Sequence, residues 1–328
     1  MGNKDKMDKK DIVSISVYMK NNPKYSLKWM TELKCFNPTG MKLDHYKKGR
    51  SVKYKEDVYN KELKQKILDD EYRIQIDDLN NSVECFVSDY SENVVIATAN
   101  LEYDIYYLNE KSILSIISDI MVNVGIVATI EDLTDWFLQN TNDVSDYKVY
   151  QKSLAGIPLV EDPYVRGKKI IDVEKLPGYG QQIGSIWVGA AWKIWFGRPY
   201  YEFVPRECIE RFQECYSNEK ISDDCYCITL YKDLNEYSKP ENRKRQWKFK
   251  EAINFPAVVK KLKEREKNRE KNPSIEIKSG NFEHGGMKQF WYYVDSDNNL
   301  VKKSNAVKIK IHEYDRAGYI IWRGEQEI

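Results

Sequence analysis

Histidine is scarce in this sequence: His45, His284 and His312 are the only three in 328 residues. They stand in a polar loop, a Gly-flanked turn and an alternating stretch, each without a serine or cysteine motif beside it. Nucleophilic hydrolysis needs a base placed against its nucleophile, and the chain has neither a GxSxG elbow nor a Cys/His arrangement. No catalytic residue is assigned. Net charge is also missing, since 52 Lys and Arg stand against 51 Asp and Glu. No global field therefore draws the chain to nucleic acid or an anionic membrane. Long apolar runs are absent as well. "SILSIISDIMVNVGIVATI", from Ser112 to Ile130, carries Asp119 and Asn123, whereas a spanning helix needs about 20 mostly apolar residues. The charged leader "MGNKDKMDKKD" has no apolar stretch behind it of the kind a secretory signal needs. Lys6 sits where the myristoylation pattern after Gly2 requires Ser or Thr. A cytoplasmic location without membrane association is the expectation.

Six cysteines, Cys35, Cys85, Cys208, Cys215, Cys225 and Cys227, are spread through the chain. Without a signal peptide they read as reduced thiols, buried as small hydrophobes. Cys225 and Cys227 alternate on an apparent strand, and Cys208 and Cys215 stand two turns apart on an apparent helix. Neither spacing is a zinc CxxC, so no metal or cofactor is assigned.

What is present is alternation. "DIVSISVYMK" sets Val13, Ile15 and Val17 against Ile12, Ser14 and Ser16, the period of a half-buried strand. "EDVYNKELKQKILDDEY" is helical. "YRIQIDDLNNSVECFVSDYSENVVIATANLEYDIYYL" reads as a meander turning at Asn80-Asn81 and Ser91-Glu92-Asn93. A helix with Asn109 as N-cap then carries Ile113, Leu114, Ile116, Ile117, Ile120 and Met121, and ends at Gly125 before a strand "IVATI" and a short helix "EDLTDWFLQ". Gly and Pro cluster between Lys152 and Gln182, which places a boundary there. Beyond it come the aromatic run "GSIWVGAAWKIWFGRPYYEFVP", a helix from Pro205, a strand "CYCITLYKD", a basic helical segment interrupted at Pro256, and an alternating tail with turns at Asp297-Asn298-Asn299 and Arg316-Ala317-Gly318. The fold class expected is α+β: two mixed modules, residues 1–150 and 151–328, with mainly antiparallel sheets, helices packed on one side and a C-terminal β-meander.

Read at period two, Ile186, Val188, Ala190, Trp192, Ile194 and Phe196 form one apolar face and mark core. Trp187 and Trp195 fall on the other face, where a second layer or a partner must cover them. "PGYGQQIG" departs from the dinucleotide fingerprint and reads as a tight turn entering a strand. "DSDNN" from Asp295 lacks the Gly and terminal Glu of a calcium loop and reads as a hairpin turn. Residues 239–272 hold thirteen Lys or Arg against five Asp or Glu. With Trp247, Phe249 and Phe255 interleaved, this segment is a candidate for phosphate contact and base stacking. Mixed signs at i, i+4 fit a solvated helix instead. Glu276-x-Lys278 matches half of a metal-dependent nuclease pattern, but no partner carboxylate stands on an adjacent strand, and alternating strands produce Glu-x-Lys freely.

From Trp187 to Phe249 the order is an aromatic strand, "GRPYYEFVP", a helix, the strand "CITLYKD" and "YSKPENRKRQWKF". This order resembles the C-terminal half of immunity proteins from bacterial polymorphic-toxin systems, with Pro240-Glu241 in the place of that family's Pro-Glu turn. The resemblance covers about a fifth of the chain. It implies a cytoplasmic, non-enzymatic protein that binds a cognate toxin and blocks its active site. Interfaces are anchored by a few desolvated aromatic or Arg side chains, so the partner-binding candidates are Trp187, Trp195, Arg198, Tyr200, Tyr201, Arg243, Arg245 and Trp247. The alternatives are nucleic-acid binding through 239–272 and a nuclease using Glu276 and Lys278.

Overall fold

A computed structural model describes residues 11–43, 51–67, 72–88 and 94–328. The leader with Gly2 and Lys6, His45 and the expected turn at Ser91-Glu92-Asn93 lie outside the described residues. β1 (Ile12–Lys20) runs as its alternation requires, and α1 (Pro23–Glu32) follows, its first turn capped by Asn22, whose side chain accepts from the Lys24 N–H. Then come β2 (Gly40–Lys42), β3 (Val52–Lys53), α2 (Glu56–Ile67), β4 (Arg73–Asp77), β5 (Ser82–Val87) and β6 (Val94–Glu102). α3 (Tyr103–Asn123) leaves β6 without an intervening turn, so the helix starts ahead of the expected cap at Asn109. Burial of Tyr106 under the sheet extends the apolar stripe back to that point. β7 (Gly125–Asp132), α4 (Leu133–Asn140) and α5 (Val144–Val149) follow.

The breaker-rich stretch carries two ribbons, β8 (Leu159–Glu161) with β9 (Lys169–Ile171) and β10 (Gln181–Ile183) with β11 (Ile186–Val188). The second ribbon turns at Gly184, whose φ of +59° favours glycine, as the tight-turn reading of "PGYGQQIG" expected. The aromatic run is not one strand: it breaks after β11 and resumes as β12 (Lys193–Phe196) in a different sheet. A 3-10 turn (Arg198–Glu202), α6 (Arg206–Glu210), β13 (Ser217–Ser222) and β14 (Cys225–Thr229) come next. α6 ends before Cys215, so Cys208 and Cys215 share no helix. The basic segment splits into α7 (Pro240–Ala252) and α8 (Phe255–Lys271), with Asn254 at φ +51° and Pro256 in the first turn of α8. The tail forms β15 (Ile275–Ser279), β16 (Lys288–Val294), β17 (Lys308–Tyr314) and β18 (Ile320–Glu327).

The fold is of the α+β class. Among the described residues its main sheet has ten antiparallel strands in the order β13-β14-β12-β7-β1-β6-β5-β4-β2-β3, and β15-β16-β17-β18 form a separate C-terminal meander. The main sheet runs across the boundary expected near residue 150, because β12 pairs with β7, Lys193 opposite Ile130 and Phe196 opposite Val127. Gly125 and Gly197 allow this approach: a Cβ on Gly197 would collide with the Gly125 carbonyl, and the Gly197 N–H donates to Ile126 O at 3.0 Å. α1 and α3 cover the sheet face that carries Val17, Ala97, Cys85 and Trp195. There Trp29 Nε1 donates to Glu84 O at 3.1 Å, and the Tyr72 hydroxyl donates to Ser26 Oγ at 2.6 Å. The opposite face meets α7 at Phe196, whose ring lies 5.8 Å from that of Phe249. Among the described residues no helix is long and apolar enough to cross a membrane. All six cysteines are free.

Candidate binding surface

The anchors named from sequence divide between interior and surface. Trp187 (6% exposed) has Gly180 and Gly189 against its indole, where any Cβ would collide with the ring. Trp195 (2%) lies on the α3 side of the main sheet, and Tyr200 (0%) packs its ring 5.1 Å from Phe196. These three rings are covered by the chain itself, which corrects their assignment as partner contacts. The second layer that the outer face of the aromatic run required is α3 over Trp195 and the glycine-flanked ribbon around Trp187. Trp192 is core as expected, its Nε1 donating to Tyr231 O at 2.7 Å. Tyr201 is half-buried with its hydroxyl on Phe196 O at 3.2 Å, whereas Arg198 is exposed.

On α7, Arg243 turns inward. Its guanidinium pairs with Asp135, one N–H···O contact measuring 2.9 Å, and also donates to Gln246 at 2.9 Å. Arg245 donates to Asn242 at 3.1 Å. Trp247 is 37% exposed and shields Lys250, a buried lysine held by Leu176 O at 3.1 Å and Tyr179 O at 3.3 Å, with its Nζ over the rings of Trp247, Tyr179 and Phe255. Burial depresses the Lys250 ammonium to about 8, with Glu174 opposing. The basic segment therefore spends several of its cations internally: Lys239, Lys248, Lys260 and Arg269 also pair with Glu236, Glu251, Glu264 and Glu266. Phe249 and Phe255 are core.

Arg243 reaches a group of acids at the β7–α4 junction. Asp132 caps α4, accepting from the Asp135 N–H at 2.7 Å and from the Tyr103 hydroxyl at 3.0 Å. Burial raises Asp132 to about 6 against those two hydrogen bonds. Burial also pushes the neighbouring Glu131 well up, with Asp135 and Asp132 adding to the shift and Arg243 opposing it. Among the described residues no group of three or more His, Cys, Asp or Glu is placed to hold a metal ion. The sequence signal for this cluster was two successive acids closing an otherwise apolar strand, "GIVATIED", which periodicity alone passes over.

The surface with binding character lies on the C-terminal meander. Cross-strand register puts Ile275, Ile277, Phe290, Tyr292, Lys310, His312 and Arg323 on one face of that sheet. The rings of Phe290 and Tyr314 lie 4.9 Å apart, as do those of Tyr292 and His312. Ile277 is 50% exposed and Phe290 half-buried, so this strip faces solvent. A groove of about 1020 Å³ opens over Ile275, Ile277, Phe290 and Tyr314, walled by Arg269, Lys288 and Arg316. Arg269 is paired with Glu266, while Lys288, Lys310, Arg316 and Arg323 stand without a carboxylate partner among the described residues. Burial and the charges of Arg323 and Lys310 lower the His312 imidazole, and Glu325, opposite Lys310, lies on the same face.

Glu276 and Lys278 point to the other face. Glu276 accepts from the Tyr293 hydroxyl at 2.6 Å and pairs with Lys303 at 3.0 Å; burial pushes its carboxyl up, but these partners outweigh it and the net shift is downward. The Lys278 ammonium lies 3.1 Å from the centre of the Trp291 ring. Trp291 stands opposite Glu276 and Gln289 opposite Lys278, so β16 supplies no second carboxylate there. His284 stacks on Trp322 at 4.3 Å and meets the buried Glu313 at 3.3 Å, a structural role on the same side. The turn at Asp295 is closed by its own carboxylate accepting from the Asp297 and Asn299 N–H groups, both at 2.9 Å.

No protein family matches this chain, and no curated protein matches it. Among solved structures, it is similar to the Pseudomonas aeruginosa T6SS protein PA0821, at 8% identity with a TM-score of 0.49, over 74% of this chain and 73% of that one.

Proposed function

We propose that this chain is a non-enzymatic protein-binding protein that acts in the cytoplasm and neutralises a cognate bacterial toxin by covering its active site. The immunity-protein resemblance of residues 187–249 suggests the class. The observation that carries a binding role is the strip of Ile277 and Phe290, backed by the buried Tyr314 and bordered by Lys288, Lys310, Arg316 and Arg323. Aromatic anchors in a solvent-facing groove with an unpaired cationic rim are the elements from which protein interfaces draw affinity and orientation. The sign of the rim selects an acidic surface on the partner.

The test is capture of the toxin by the wild-type chain and by Phe290→Ala and Arg323→Glu variants. Each variant is expected to weaken binding at least about tenfold with an unchanged melting temperature. Full affinity in both would remove this face from the interface. A nucleic-acid reading is favoured by one observation, rings and cations on the same face, the pattern of single-strand platforms. It moves that contact from residues 239–272 to the meander. No binding of a labelled oligothymidine at low salt would dismiss it.

A further inference from the structure

The outer edge of β18 belongs to no ladder. β18 ends the order β15-β16-β17-β18, and among the described residues Ile320–Glu327 make no backbone hydrogen bond beyond their pairing with β17. Natural edges are usually blunted by charged side chains, lysine above all, by proline or by a bulge; the charges of this strand, Arg323, Glu325 and Glu327, are of both signs. "IIWRGEQE" has neither proline nor lysine, and its one irregularity falls at Glu313/Tyr314, opposite the strand's start, so Trp322–Glu327 run regularly.

We propose that two copies of this chain associate through β18, edge to edge and antiparallel, joining their meanders into one continuous sheet about a two-fold axis. In such a pairing the numbers of facing residues add to a constant. Centred on Gly324, the register pairs residues 321–327 of the two copies and sets Arg323 opposite Glu325 of the second copy, twice by symmetry. Among the described residues Arg323 has no carboxylate partner, and Glu325 has only the exposed Lys308 contact at 3.2 Å. Moving the centre one residue sets Arg323 against itself or Glu325 against itself, and like charges directly opposite are destabilising. Of the registers centred on Arg323, Gly324 and Glu325, the one on Gly324 alone sets no like charges face to face.

The centre of the pairing is suited to close approach. Gly324 has no side chain, and the Trp322 indole of the same chain occupies the space a Cβ would need. Pairing two copies there sets their Trp322 rings side by side over facing glycines. On the opposite face the Phe290–Tyr314 strips become parts of a single surface.

The test is sedimentation velocity of the full chain from about 1 to about 100 µM, where mass action should populate the dimer. The wild type should shift from monomer to dimer with concentration. Arg323→Glu leaves only Glu at both positions and Glu325→Arg only Arg, so each variant alone should lose association by at least about tenfold. Their equimolar mixture restores opposite charges in both pairs and should re-form a dimer. Melting curves of each variant establish that it is folded. A wild type that stays monomeric throughout, single variants that still dimerise, or a mixture that fails to associate would each overturn the proposal.

Discussion

Arg243 on α7 closes on Asp135 in the first turn of α4 across 108 residues of chain, with both partners largely removed from water. This pair ties the β7–α4 junction to the basic helix, and it explains why an arginine that looks like a surface anchor in sequence is absent from the surface. Breaking one side of such a pair strands the other charge. Arg243→Met is expected to lose about 3–5 kcal/mol of unfolding free energy in urea, and Asp135→Asn a comparable amount. Losses below 1 kcal/mol for both would mean the pair is in effect solvated.

Asp132 should make the protein respond to acid in an unusual direction. Its folded value near 6 stands above the ordinary 3.8, so the folded state holds more protons between those values. The contribution of Asp132 is therefore fully present below about pH 4 and is lost as pH rises through 6. Comparing chemical denaturation of wild type and Asp132→Asn, which can still cap α4, should isolate a difference of about 3 kcal/mol across that window. An identical pH slope in the two proteins would contradict the buried position.

Lys250 acts at the other end of the scale. Its folded value near 8 lies below the ordinary 10.5, so the unfolded chain binds the extra proton between them. Stability should rise with pH from about 8 towards 10 through this group. The difference in unfolding free energy between wild type and Lys250→Met should grow over that interval, and a flat difference would show that the ammonium is hydrated.

Tyr200 is fully buried, and its hydroxyl has no hydrogen-bond partner among the described residues. An unsatisfied buried hydroxyl costs about 1–3 kcal/mol. Tyr200→Phe keeps the ring against Phe196 and should raise the melting temperature, leaving partner affinity unchanged. A destabilised variant would reveal a bonded hydroxyl, whereas an affinity loss in a stable variant would return Tyr200 to the interface.

Strands were legible wherever one face repels water. β1 shows it in Val13, Ile15 and Val17, and the tail meander in its turns at Asp295 and Gly318, which hold as hairpin chemistry requires. The same signal misled in the aromatic run. Trp187 and Trp195 both read as outward-facing because the alternation continues unbroken through Gly189 to Trp192, where the structure passes from one sheet to another. Periodicity reports which face of a strand is apolar, not where a strand leaves its sheet or what is laid over its second face.

The groove residues were visible individually but not as a group. Phe290, Tyr314 and Arg323 lie on three strands, and only cross-strand register assembles them. The sequence by itself determined the α+β class, the antiparallel meander at its end, the break at Pro256 and the core role of Trp192, because each follows from local alternation, turn chemistry or the missing proline N–H. Tertiary structure alone decided that β12 joins β7 in a sheet running past residue 150, that Arg243 and Lys250 are interior, and that Lys288, Lys310 and Arg323 share one face of the last sheet. Those outcomes depend on which surfaces exclude water together, a property of long-range packing that no local window of sequence contains.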